Sequence, residues 1–202
     1  MKNMFGKEDE MEIRVKDIDQ KYQEFRCSCG EIVRSRFNFP QNNIVSLIQK
    51  VKRERLECGP YKGVSFFEAI NRIASDIVLW QGLAWLIKHD FIGEKNVVHA
   101  CFGNINDNGE GDIKITDGNT SISCEVFNVA PSFFSVKLQK TLKKWRNAES
   151  RLHFIFCNGD VVGTYQGRTR VQVFEESVEL DQDKTLLVPV PVELNAELFK
   201  KN

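Results

Sequence analysis

The chain has no surplus of either charge: 28 Lys and Arg residues stand against 28 Asp and Glu residues, giving a formal net charge of +0. A global field that would draw the protein to nucleic acid is therefore excluded, and any such affinity has to come from local basic patches. Long apolar runs are also missing. The longest, Ile77 to Ile87, is broken by Gln81 and is too short to cross a bilayer. The charged start (Lys2, Lys7, Glu8, Asp9, Glu10) has no apolar stretch behind it, so neither a signal peptide nor a membrane segment is expected and the reading is a cytoplasmic protein. No glycine-rich loop precedes a helix, which argues against P-loop hydrolysis and a nucleotide cofactor. The three histidines, His89, His99 and His153, are scattered; His99 and His153 sit inside apolar strand patterns, where a packed imidazole is commoner than a base, and no triad can be assembled. Six cysteines are present without any Cys-x-x-Cys pair. Cys27-Ser28-Cys29 with Cys58 offers zinc-type ligands but no paired second knuckle. Cys101, Cys124 and Cys157 lie in strand-like runs as small hydrophobes. Nothing points to secretion, so reduced thiols are expected.

What is present suits one globular domain: 202 residues, 42% hydrophobic and 28% charged, with no internal repeat or low-complexity linker. Residues 1–60 read as an amino-terminal extension. Its first part predicts a meander of three strands, Met11 to Ile18, Tyr22 to Ser28 and Glu31 to Phe39, with turns at Asp17 to Gln20 and Cys29-Gly30. A helix is expected from about Asn43 to Glu57, its basic end complementing the helix dipole. A long, substantially buried helix follows from Ser65 to about His89, with Ser65 and Glu68 spaced as a capping box. Next come a strand at Asn96 to Phe102, a hairpin, a helix at about Ser132 to Asn147 and a strand at Arg151 to Cys157. Residues 158–202 predict further strands around Val161 to Tyr165, Arg170 to Phe174 and Thr185 to Val190.

The hairpin carries the chemistry. Asp117-Gly118 is a strong two-residue turn signal, and pairing outward from it sets Thr116 opposite Asn119, Ile113 opposite Ile122 and Asp112 opposite Ser123. Alternation then puts Ile113, Ile115, Ile122, Cys124 and Val126 on one face, with Glu110, Asp112, Lys114, Ser121, Ser123 and Glu125 on the other. Glu125 falls opposite Glu110 and diagonal to Asp112, about 5 to 8 Å away between Cα atoms. At an effective dielectric near 20, two charges about 6 Å apart repel by roughly 3 kcal/mol, so the cluster either holds a proton or binds a divalent cation. All-oxygen ligands favour Mg²⁺ or Mn²⁺. Glu68 is a possible further contact, beside its plainer role as a cap.

The order helix, three strands, helix, strand over Ser65 to Cys157, with Asp112 opening one strand and Glu125-Val126-Phe127 on the next, resembles the core of the PD-(D/E)XK, restriction-endonuclease-like, nuclease superfamily. The resemblance implies an α/β (α+β) fold around a mixed sheet, a Mg²⁺-dependent DNA endonuclease, most simply a type II restriction enzyme, and a homodimer matched to a palindromic site. In that superfamily the carboxylates bind metal and a lysine two residues beyond the Glu helps activate water; here that position is Phe127. A migrated lysine is the expected remedy, with Lys137 in the following helix preferred and Lys114, on the hairpin face, second. A nuclease fold without catalysis, binding DNA or a protein, is the alternative.

A phosphate-bearing partner also suits the helix after the hairpin. Between Asn128 and Asn147 there are five basic residues, Lys137, Lys140, Lys143, Lys144 and Arg146, and no acidic one, while Phe134, Leu138, Leu142 and Trp145 form an apolar stripe. Lys140 and Lys144 are candidate DNA contacts, although a solvated helix face would look the same. In Gly163 to Arg170, Gln166, Arg168 and Arg170 have donor patterns suited to base edges.

Overall fold

A computed structural model of the protein describes residues 10–35, 43–103, 111–116, 121–145, 152–159, 161, 171–174, 177–180 and 185–190. Its elements are β1 (Glu10–Arg14), a short 3-10 turn (Val15–Asp17), α1 (Ile18–Arg34), α2 (Ile44–Arg53), α3 (Phe66–Lys88), β2 (Val97–Cys101), β3 (Ile113–Thr116), β4 (Ser121–Phe127), α4 (Pro131–Trp145), β5 (Leu152–Asn158), β6 (Val171–Phe174), β7 (Ser177–Leu180) and β8 (Thr185–Val190). The architecture is mixed α/β. Eight strands form one mixed sheet in the order β1-β2-β3-β4-β5-β8-β7-β6. β1 to β4 are antiparallel, β4, β5 and β8 run parallel, and β8, β7 and β6 are again antiparallel.

The expected amino-terminal meander is replaced by one strand and a helix. Among the described residues of that stretch, Glu10 to Arg14 pair in the sheet, antiparallel to β2, and residues 36–39 of the expected third strand lie outside them. From Ile18 the apolar spacing is helical: Ile18, Tyr22, Phe25, Cys29 and Ile32 are the buried residues of α1, and Gly30 lies inside the helix rather than in a turn. Tyr22 and Phe25 bring their rings to 5.8 and 6.2 Å from that of Trp80, clamping α1 against α3.

α3 begins where the cap predicted: Ser65 Oγ accepts from the Glu68 amide at 3.2 Å. From Asp76 to Ala84 every residue is buried, because α1 covers one side and the sheet the other. Gly82 allows that approach, since a Cβ there would be driven into the Phe156 ring. The sheet separates two apolar clusters. On the α3 side lie Ile13, Val98, Ala100, Ile113, Ile115, Ile122, Cys124, Val126, Phe154, Phe156 and Val188. On the α4 side Phe127, Ile155, Cys157, Val161 and Leu187 meet Phe134, Leu138 and Trp145.

The hairpin faces are those expected, but the register is not. Thr116 pairs with Ser121, Ile115 with Ile122 and Ile113 with Cys124, two residues from the pairing that a turn confined to Asp117-Gly118 would give. A slip of two leaves every side chain on its original face. It also changes the partners, so that Asp112, one step beyond the ladder, stands level with Glu125. Residues 117–120 lie outside the described residues, as do Glu110, Gln166, Arg168, Arg170 and the expected strand at Val161 to Tyr165 apart from Val161, which is buried against the α4-side cluster.

Candidate active site

A groove of about 980 Å³ wraps over the end of the sheet where β3 begins and β4 finishes, between the first half of α3 and the exposed side of α4. Asp76, Asp112, Glu125, Lys137, Lys140 and Lys144 all line it. The groove is built by short-range constraints. The Asp112 amide donates to Cys124 O at 2.8 Å and its Oδ2 accepts from the Val126 amide at 2.7 Å, so the residue is anchored to β4 at both ends. Asn158 on β5 fixes the segment leading into α4: its Oδ1 accepts from the Val129 amide at 3.1 Å and its Nδ2 donates to Val129 O at 3.2 Å.

The electrostatics follow from burial. Asp112 is pushed up to about 7, first by desolvation and then by the neighbouring Glu125; the Val126 amide, Lys137 and Lys144 act in the opposite direction. Glu125, 7% exposed, takes the Lys144 ammonium on Oε1 at 2.7 Å. Lys137 donates to Val126 O at 2.9 Å, and its Nζ stands 4.4 Å from the centroid of the Phe127 ring. Burial lowers its pKa, with the attraction of Asp112 and Glu125 as the main opposing influence. Phe127 therefore lies beneath a lysine supplied by the next helix, with its own ring in the apolar cluster against Phe134, 6.1 Å between centroids.

Sequence reasoning missed Asp76. It is 1% exposed on α3, accepts from the Gly103 amide at 2.9 Å and from the Tyr61 hydroxyl, and is pushed up to about 7 mainly by burial. Asp112 lies near enough to add repulsion. Gly103 is required there: its φ is 67°, and a Cβ would enter the Tyr61 ring. The available signal was an acid in the part of α3 that is otherwise apolar all round. Glu68, two turns earlier, lies at the groove rim with its carboxylate on Arg72 at 2.6 Å. Lys114 is half-buried on β3 between His99 and Ser123, and is not among the residues that line the groove. Cys27 is exposed, Cys29 is buried in α1 with its thiol pushed up to about 12 by burial, and the Cys58 thiol donates to Glu31 O at 3.6 Å. His153 is stacked on Trp145 at 4.4 Å and His89 on Trp85 at 4.3 Å.

Among the described residues no three or more His, Cys, Asp or Glu side chains form a metal cage. Two carboxylates, Asp112 and Glu125, line the groove close enough to repel, and the Lys137 ammonium rests on the Val126 carbonyl beside them. This oxygen-only set fits Mg²⁺, which is held by one or two carboxylates while keeping several waters, and does not fit zinc. Among the described residues no helix is long and apolar enough to cross a membrane. Comparison with protein-family models, curated proteins and solved structures finds no match to this chain.

Proposed function

We propose that the protein is a Mg²⁺- or Mn²⁺-dependent DNA endonuclease of the PD-(D/E)XK, restriction-endonuclease-like, class, acting in the manner of a type II restriction enzyme. The observation that carries this reading is the meeting of Asp112, Glu125 and the Lys137 ammonium around Val126 in one groove. The run α3-β2-β3-β4-α4-β5 supports it, since it supplies a helix, three strands, a helix and a strand, with Asp112 just before the second strand and Glu125 on the third.

Asp112 and Glu125 would hold the metal, with the Val126 carbonyl as a further oxygen. When bound, the ion lowers the pKa of the attacking water and neutralises charge developing on the phosphate. Lys137 directs a donor at the same place and stabilises that charge, as the missing motif lysine would. Lys140, exposed on α4, receives a flanking phosphate, and Lys144 would do so once metal bound at Glu125 releases it from that carboxylate. Two-stranded cleavage of a palindrome would call for a homodimer.

The second reading is a nuclease fold that binds DNA or a protein without cutting. One observation favours it: Glu125 is already neutralised by Lys144. Plasmid DNA incubated with Mg²⁺ or Mn²⁺, followed by mapping of the ends, separates the two. Cleavage that needs the metal and disappears in Asp112→Asn supports the enzyme; no cleavage of plasmid, linear duplex or single-stranded DNA with either ion leaves the binding role.

A further inference from the structure

The mouth of the groove has apolar lips that catalysis does not explain. Phe67, on the first turn of α3, is 52% exposed; Phe133 and Val136, on the first turns of α4, are 66% and 68% exposed, and all three line the groove. These are not rings waiting for a core, since each helix already buries its opposite face. One lip has a cation against its ring and the other has a cation on the same helix. The Lys52 ammonium stands 5.7 Å from the Phe67 centroid, and Lys140 lines the same wall as Phe133. α4 carries no acidic residue from Pro131 to Trp145.

Exposed rings on both walls of a cleft, with lysines on or beside the same helices, suit the chemistry of a nucleic-acid strand, with bases on the rings and phosphates on the ammonium groups. In a duplex the base faces are covered by their neighbours, so an exposed phenylalanine gains nothing from them. An unpaired strand leaves them free. We propose that this groove takes an unpaired DNA strand, with bases stacked on Phe67 and Phe133 and the intervening phosphodiester over Asp112 and Glu125. The inference rests on the nuclease reading but replaces the intact duplex that a type II enzyme cuts with single-stranded DNA, or the opened segment of a duplex.

Binding measured in EDTA keeps this proposal separate from catalysis. Anisotropy of a short labelled oligothymidylate is compared with that of a duplex of the same length. The strand is expected to bind more tightly, and Phe67→Ala and Phe133→Ala each to weaken it on the order of 10-fold while leaving duplex affinity unchanged. Both side chains are exposed, so folding is preserved, which circular dichroism checks. Phe→Trp at either position is expected to retain binding and Phe→Leu to lose it, because stacking needs a ring and not merely an apolar surface. Leucine variants that bind the strand as well as the parent would show an apolar docking face for a protein and overturn the proposal, as would tighter binding of the duplex. If metal-dependent cleavage of duplex DNA is observed and is untouched by either alanine variant, the nuclease reading stands and this one falls. Strand binding with no cleavage under any metal gives the converse.

Discussion

The Lys137 ammonium sits over the face of Phe127, 4.4 Å from the ring centroid, while donating to the carbonyl of the residue before it. The ring thus supports a cation supplied by the next helix, which the proposed nuclease reading makes the catalytic lysine. Lys137→Ala is expected to slow single-turnover cleavage by about 10² to 10³, the usual worth of one donor aimed at developing charge. DNA affinity and its salt dependence change little, because a lost phosphate contact is a separate and smaller effect. An unchanged rate would remove Lys137 from the chemistry.

Phe127 itself carries stability. It is fully buried between β4, β5 and α4, so Phe127→Ala is expected to cost about 3 to 5 kcal/mol in urea denaturation. Leucine, closer in volume, is expected to recover most of the loss, and a cost below about 1 kcal/mol for the alanine variant would contradict the packing described.

Asp76 makes the metal-free protein sensitive to pH. Its folded pKa of about 7 lies above the ordinary value of 3.8, so the native state holds more protons than the unfolded chain between those limits. The stability that this group contributes is therefore greatest below about pH 4 and declines as pH rises towards 7, by at most about 1.4 kcal/mol per pH unit. Asp112, raised in the same direction, adds to the decline. In EDTA, Asp76→Asn is expected to flatten the profile; an equally steep profile in the variant would show that the carboxyl does not titrate there.

Tyr61 moderates that cost. Its hydroxyl donates to the Asp76 carboxylate, and hydrogen bonds to a charged group contribute about 1.5 to 3 kcal/mol. Tyr61→Phe is expected to destabilise the fold more at pH 8 than at pH 5, since Asp76 needs the donor most when ionised. Equal losses at both values would mean that only packing was disturbed.

Gly82 is a contact residue between α3 and the sheet. Alanine would gain roughly 1 kcal/mol in helix propensity but would drive a methyl group into Phe156, and overpacking of this kind costs about 1 to 3 kcal/mol. A net loss of stability is expected on thermal unfolding; a stabilised variant would show that Phe156 can move aside.

The parts of the fold that were legible in the sequence are those whose local and tertiary preferences agree. α3 announces itself by the Ser65 cap and its apolar circumference, and the hairpin faces follow from alternation alone. α1 was illegible because Gly30 and the Cys27-Ser28-Cys29 run resemble a turn; only burial against Trp80 selects the helical spacing of Tyr22, Phe25 and Cys29. The hairpin register escaped because Asp117-Gly118 suggests a tighter turn than the ladder allows. Asp112 and Glu125 could be placed on one face from strand alternation and Lys137 near them from its place early in the following helix, whereas Asp76 could not, since its relation to Asp112 exists only once α3 crosses the end of the sheet.

The two groove walls belong to cores on opposite faces of the sheet, and these differ in extent. α3 is embedded in the larger cluster with α1, while α4 is held by the smaller one around Phe127, Phe134 and Trp145. Cooperative opening units follow such boundaries. α4 is therefore the wall expected to open locally without global unfolding, and its amides to exchange with solvent sooner than those of α3. The paired bonds from Asn158 to Val129 then act as the hinge-side fastening of that wall, tying the segment that leads into α4 to β5.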